Sequence, residues 1–235
     1  MGDPVNMLAT TTAAIAAIGG LGTAAFGLVD ATKAFNGGVS NAGFGKVKAA
    51  LKPFKTALDG AEADWSVTIR ANWINGNPKE DQKAAAKSLI RLGLSSKNAS
   101  QMAAAGHVDP VRLQQVMTSV ETGAALTPAD VNVLGRFNGA IDAALDAGFE
   151  QGDQVYRNAS KVIAGIFAIG LAIWAGAIVP IDGSKAVALS NYLFVSGQFW
   201  LAVLVGVIAV PIAPVAKDLT SSLQAAVGAM KSVKP

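Results

Sequence analysis

Three apolar runs, Leu8–Leu28, Val162–Ile181 and Val195–Val215, contain no Asp, Glu, Lys, Arg or His. Each is about 20 residues long. A helix rising 1.5 Å per residue needs roughly that length to cross a hydrocarbon core of about 30 Å. The runs therefore predict three membrane spans. The flank ahead of the first, Met1–Asn6, carries an acid and no Lys or Arg. That is the wrong charge for the start of a cleaved signal, so the first run is expected to be retained as a span.

Only 15% of the 235 residues are charged, against about 25% in a typical soluble domain. The deficit is confined to the apolar runs, and residues 30–161 are ordinarily charged. These observations predict an all-α integral membrane protein. Three transmembrane helices carry a helical cytoplasmic domain between the first and the second. The expected divisions are residues 1–29 for the first span, 30–161 for the domain, 162–215 for a transmembrane hairpin and 216–235 for an amphipathic tail.

Orientation follows from lysine and arginine in the short flanks. None precedes the first span. Lys33, Lys46, Lys48, Lys52 and Lys55 follow it, Arg157 and Lys161 precede the second, and Lys217, Lys231 and Lys234 follow the third. The linker between the last two spans has Lys185 alone. The counts predict an outer N-terminus, with the domain and C-terminus cytoplasmic in a bacterial inner membrane. Tyr192, Phe194, Phe199 and Trp200 would form an aromatic belt at the outer start of the third span, with Tyr192 and Trp200 at the interface.

Punctuation divides the domain into helices. Pro53 interrupts the periodic Val47, Leu51, Phe54 and Leu58. Trp65, Ile69, Asn72 and Trp73 share one face of a helix ending at Asn75-Gly76. Asn77-Pro78, with proline at the first helical position, opens Lys79–Leu92. Ser96–Ala105 forms a short helix, Asp109-Pro110 opens another, and Thr127-Pro128-Ala129-Asp130 opens the last. Val131, Leu134, Phe137, Ile141 and Leu145 then form a core stripe, and the helix runs on toward the second span.

Small residues recur every four positions in the runs: Gly19, Thr23 and Gly27; Ala16, Gly20 and Ala24; Ala164, Ala168, Ala172 and Gly176; Ala202 and Gly206. This spacing lets helix backbones approach closely in lipid, so these residues are expected to be packing faces. The first run is small almost all round, which predicts neighbours beyond this chain, in a homo-oligomer or a larger complex. Pro180, Pro211 and Pro214 read as span boundaries.

Two stretches are amphipathic. Lys46–Leu58 could lie on the inner leaflet, with Lys46, Lys48, Lys52 and Lys55 at the headgroups and Val47, Leu51 and Phe54 dipping inward, or could be an ordinary domain helix. In the tail, Leu219, Leu223, Val227 and Met230 form a similar stripe. Asp142, Asp146, Glu150 and Asp153 form an acidic stripe, read as a solvated face, with a cation or a basic partner as the other option.

No pattern specifies chemistry. There are no cysteines, which excludes disulfides and thiolate metal sites, and His107 is the sole histidine. Gly37–Lys46 fails as a phosphate loop because Ser40 and Val47 occupy positions that need Gly and Ser or Thr. Ser96–Met117 resembles a helix-turn-helix only loosely, and its second helix offers only Arg112 as a basic group, so no nucleic-acid partner is expected. Uncharged spans argue against ion-coupled transport. No cofactor, metal or small-molecule substrate is implied. The expected function is that of a non-enzymatic structural or assembly subunit in the lipid bilayer. The alternatives are an oligomeric pore lined by Thr10, Thr11, Thr12 and Thr23, or a regulator whose domain captures a soluble partner.

Overall fold

A computed structural model describes residues 4–178, 192–194 and 196–233, with side chains described at most of these positions. Pro180, Ile181, Lys185, Val195 and Lys234 lie outside the described residues. So do the side chains of Lys217, Val227, Met230 and Lys231. Among the described residues the chain is helical without strands. The helices are α1 (Pro4–Ala31), α2 (Asn41–Leu51), α3 (Lys55–Ala61), α4 (Trp65–Ile74), α5 (Lys79–Gly93), α6 (Ala99–Ala103), α7 (Pro110–Thr122), α8 (Pro128–Ile178) and α9 (Gly197–Val233). Three segments are long and apolar enough to cross a membrane: Asn6–Ala34, the apolar part of Pro128–Ile178, and Gly197–Ala216.

The chain divides into two compact units, Met1–Val39 with Asn158–Pro235, and Ser40–Arg157. The boundary at Arg157 falls inside α8. That helix runs without interruption from the helical domain into the apolar segment, as the pattern through Phe149 and Tyr156 predicts.

In the unit Ser40–Arg157, helix starts and stops follow local chemistry. Asp109 caps α7 by accepting from the Arg112 backbone N–H at 2.8 Å, and Gly123 closes it at φ 70°, a conformation cheap only for glycine. Thr127 and Asp130 form a reciprocal cap for α8: the Thr127 N–H and hydroxyl donate to the Asp130 carboxylate at 2.9 and 2.7 Å. Pro53 sits in the single 3₁₀ turn Lys52–Phe54 between α2 and α3, so it re-aims the chain without ending the apolar stripe. Pro78 stands at the cap of α5, one position earlier than predicted. Helix α6 is shorter than Ser96–Ala105 because Asn98 bends the preceding turn, accepting from Ser95 N–H and donating to the Gly93 carbonyl at 2.7 Å.

One core joins these helices. Val47, Leu51, Phe54, Leu58, Ile69, Ile90, Leu113, Phe137, Ile141, Leu145 and Phe149 are buried together. Phe54 meets Phe137 edge to face at 6.3 Å. The Phe137 ring lies over Gly106, where any Cβ would collide with it. Helices α2 and α8 cross at Gly43 and Gly152, and a Cβ at Gly43 would strike the Gly152 carbonyl. Val131 departs from the predicted stripe. It is 55% exposed, because it lies about 120° round α8 from Phe137, while Val133 and Leu134 pack on the core.

In the other unit, α1 packs along α9. Ala25, Val29, Ala164, Ala168, Ala209 and Val210 are its buried centre. Helix α9 continues through Pro211 and Pro214 to Val233, while its span-length apolar segment ends at Ala216, two residues after Pro214. The tail is thus a continuation of the third apolar helix.

Truncating Phe137 to Ala should destabilise the helical unit by roughly 3–5 kcal/mol, since it removes a fully buried ring from a packed core. Denaturant unfolding of the full chain, followed by Trp65 and Trp73 fluorescence, measures this. A loss below about 1 kcal/mol would show that the ring is not the core element described.

Candidate functional site

Two surfaces gather the residues singled out by the sequence. The first is the acidic stripe of α8. It faces not solvent alone but a complementary row on α5. Lys79 reaches Glu150 at 2.7 Å and Asp153 at 3.6 Å, Lys83 reaches Asp146 at 2.8 Å, and Lys87 reaches Asp142 at 2.7 Å. Both rows repeat every four residues and run antiparallel, so each lysine finds an acid one helical turn further along. The stripe's basic partner is therefore intramolecular. The sequence signal for this pairing is the four-residue period of Lys79, Lys83 and Lys87, which matches that of Asp142, Asp146 and Glu150.

Further ion pairs brace the ladder: Glu80 accepts from the Lys83 ammonium at 2.6 Å on the middle rung, and Arg157 binds Asp153 at the Lys79 end. Asp146 and Glu80 raise the Lys83 ammonium above its ordinary range. The Arg157 guanidinium holds the Asp153 carboxyl below its ordinary value of 3.8, against a desolvation effect that opposes it. Between the rungs lies a cleft of about 280 Å³ floored by Ala84 and Leu145. Its walls are ion pairs that satisfy one another, and it holds no nucleophile or unpaired acid. Among the described residues no group of three or more His, Asp or Glu is arranged to hold a metal ion. His107 stands exposed in a turn at φ 50°.

The second surface is the set of small residues in the apolar helices. Gly19 abuts Ala216, and a Cβ at Gly22 would strike the Ala209 carbonyl. Gly206 lies against the backbone of Ile169, and Gly176 against the Tyr192 hydroxyl and Ala202. Ala168 and Ala172 are buried. Gly20 and Gly27 face open space, and Thr23 is exposed. The inward face of α1 is Thr12, Gly19, Gly22, Ala25 and Val29, and Gly22 belongs to it although the four-residue stripes pass it by. The outward face carries Ala13, Ala16, Gly20, Ala24 and Gly27.

Four hydroxyls proposed as pore lining are turned inward on their own helix. Thr10, Thr11, Thr12 and Thr23 donate to the carbonyls of Asn6, Met7, Leu8 and Gly19 at 2.8–2.9 Å.

Aromatic rings cluster at the start of α9. Phe199 meets Tyr192, Phe194 and Trp200 at 6.1, 4.9 and 5.2 Å. Trp200 is 58% exposed, as an interfacial ring would be. Tyr192 is not: it is 1% exposed, because the missing side chain of Gly176 leaves room for its ring. Ser196 caps α9, accepting from Phe199 N–H at 3.1 Å and donating to the Tyr192 carbonyl at 2.8 Å. Lys46, Lys48, Lys52 and Lys55 are exposed. Val47, Leu51 and Phe54 are buried in the helical core, so these three do not dip into a leaflet.

Comparison of the chain with family models, curated proteins and solved structures finds no match.

The carboxyl of Asp153, lowered in the folded chain, contributes stability that is present above the ordinary carboxylate value. That stability is lost as pH falls through the lowered one. Thermal midpoints of the full chain should therefore fall on acidification below pH 3.8. The triple variant Lys79→Gln, Lys83→Gln, Lys87→Gln should melt earlier at neutral pH, by a margin that shrinks in high salt. Equal midpoints for variant and parent at low salt would show that the ladder carries no stability.

Proposed function

We propose that this chain is a non-enzymatic integral membrane subunit that assembles with further helices through the outward small-residue face of α1. The observation that carries this reading is the contrast between the two faces of that helix. One is filled by α9, while Ala13, Ala16, Gly20, Ala24 and Gly27 stand open on the other. In hydrocarbon no hydrophobic force drives helices together. Small side chains favour association because they permit close van der Waals contact between backbones. A second copy of α1 or a span of a larger complex fits such a face.

In this reading the chain lies in a bacterial inner membrane with its N-terminus outside. The unit Ser40–Arg157 and the C-terminus are cytoplasmic, as the lysine distribution of the flanks favours. The helical unit supplies a second docking body. A pore lined by α1 gains no support from its threonines, whose hydroxyls are spent on their own helix.

The cysteine-free sequence makes the test clean. Single Gly20→Cys and Ala24→Cys chains, treated with a short bis-thiol crosslinker in native membranes, should give discrete larger species whose mass identifies a second copy or a partner. Ala25→Cys, buried against α9, should not. Crosslinking from all three positions, or from none, would sink the proposal.

A further inference from the structure

The exposed surface of α2, α3 and the turn between them is basic. Lys46 and Lys48 stand on either side of the buried Val47, at opposite edges of that surface, and Lys52 and Lys55 follow. Between and beside these lysines Gly45, Ala49, Pro53 and Thr56 are exposed, none of them bulky, and the exposed Asp59 follows one turn on. The reverse side is sealed into the core by Val47, Leu51, Phe54 and Leu58. The face can therefore meet a partner only through charge, not by inserting an apolar stripe. Lys55 is paired with Asp59. Lys46, Lys48 and Lys52 form no ion pair among the described residues, in contrast to Lys79, Lys83 and Lys87.

The chain itself says where this face is tethered. Helix α1 ends at Ala31, and residues 32–40 lead directly into α2. In that connector Asn36, Gly37 and Gly38 all take positive φ, and the Thr32 hydroxyl oxygen accepts from Val39 N–H at 3.1 Å. The turn leaves Phe35 80% exposed just where the apolar helix stops. An exposed apolar side chain at the end of a span is suited to the headgroup and acyl boundary of a bilayer.

We infer that the Lys46–Lys48–Lys52 face binds the anionic phospholipid headgroups of the leaflet at which α1 ends. Ammonium groups on long flexible stems can follow a plane of phosphates that has no fixed geometry. Such attraction acts over a Debye length, about 10 Å at 0.1 M salt, so it needs the tether and is sensitive to salt. The inference rests on the reading of α1 as a span.

The test uses the full chain in nanodiscs of phosphatidylcholine alone or mixed with phosphatidylglycerol. A fluorophore on Ala49→Cys sits within the lysine face, and collisional quenching by headgroup-nitroxide lipid reports its contact with the surface. Quenching should be severalfold stronger in the phosphatidylglycerol discs. It should fall to the phosphatidylcholine level in high salt and in the variant Lys46→Gln, Lys48→Gln, Lys52→Gln, whose far-ultraviolet dichroism should be unchanged.

Equal quenching in the two compositions, or quenching that survives the glutamines, would overturn the inference. Retention of RNA by the lysines without any lipid dependence would do the same. A second label at Ala17→Cys, on the exposed side of α1, should be quenched by acyl-chain nitroxide in both compositions. If it is not, the span reading fails, and the inference fails with it.

Discussion

Close backbone approach holds the apolar unit together. Where α1 meets α9, the Gly22 position lies against the Ala209 carbonyl, and where α8 meets α9, Gly206 lies against Ile169. Neither crossing tolerates a Cβ. For helices in lipid, water release on association is absent, and contact must come from dispersion between surfaces that fit. Glycine and alanine supply that fit. The same requirement explains why Tyr192, an interfacial residue by type, is buried: the space over Gly176 accepts its ring.

The helical unit rests on the opposite balance. Its core is Phe, Leu, Ile and Val, and burial from water stabilises it. Helix α8 belongs to both regimes. The buried stripe of its first part is Phe137, Ile141, Leu145 and Phe149, and that of its last part is Ser160, Ala164, Ala168 and Ala172. Period and helix are unchanged while side-chain size falls. Acids occupy the flank of the first part, where α5 supplies lysines, and no charge appears in α8 after Lys161.

Much of this organisation is legible in the sequence because it is local. Apolar runs of span length, the caps at Asp109 and Thr127, the glycine stop at Gly123 and the break at Pro53 each act within one helical turn. What is not legible is pairing. The α8 acids look solvated until α5 is laid antiparallel beside them, and the register of Lys79, Lys83 and Lys87 is set by the core beneath. Gly22 escapes a strict four-residue stripe because the buried face of α1 mixes steps of three and four. Pro211 and Pro214 stand near the end of the span-length segment without ending the helix, because a proline is tolerated in an apolar helix where a soluble helix would end. The fate of Val47, Leu51 and Phe54, core or leaflet, depends on whether other helices cover them, and a single helix's pattern cannot say.

The proposed topology has the apolar helices as spans that leave the helical unit and the C-terminal end of α9 on the same side. Single-cysteine accessibility in sealed, inside-out membrane vesicles measures this directly, with an impermeant maleimide on Asn6→Cys, Thr56→Cys and Ser222→Cys chains. The account predicts that Thr56→Cys and Ser222→Cys are labelled in intact vesicles, and that Asn6→Cys is labelled only after detergent is added. Labelling of all three positions in intact vesicles would contradict it.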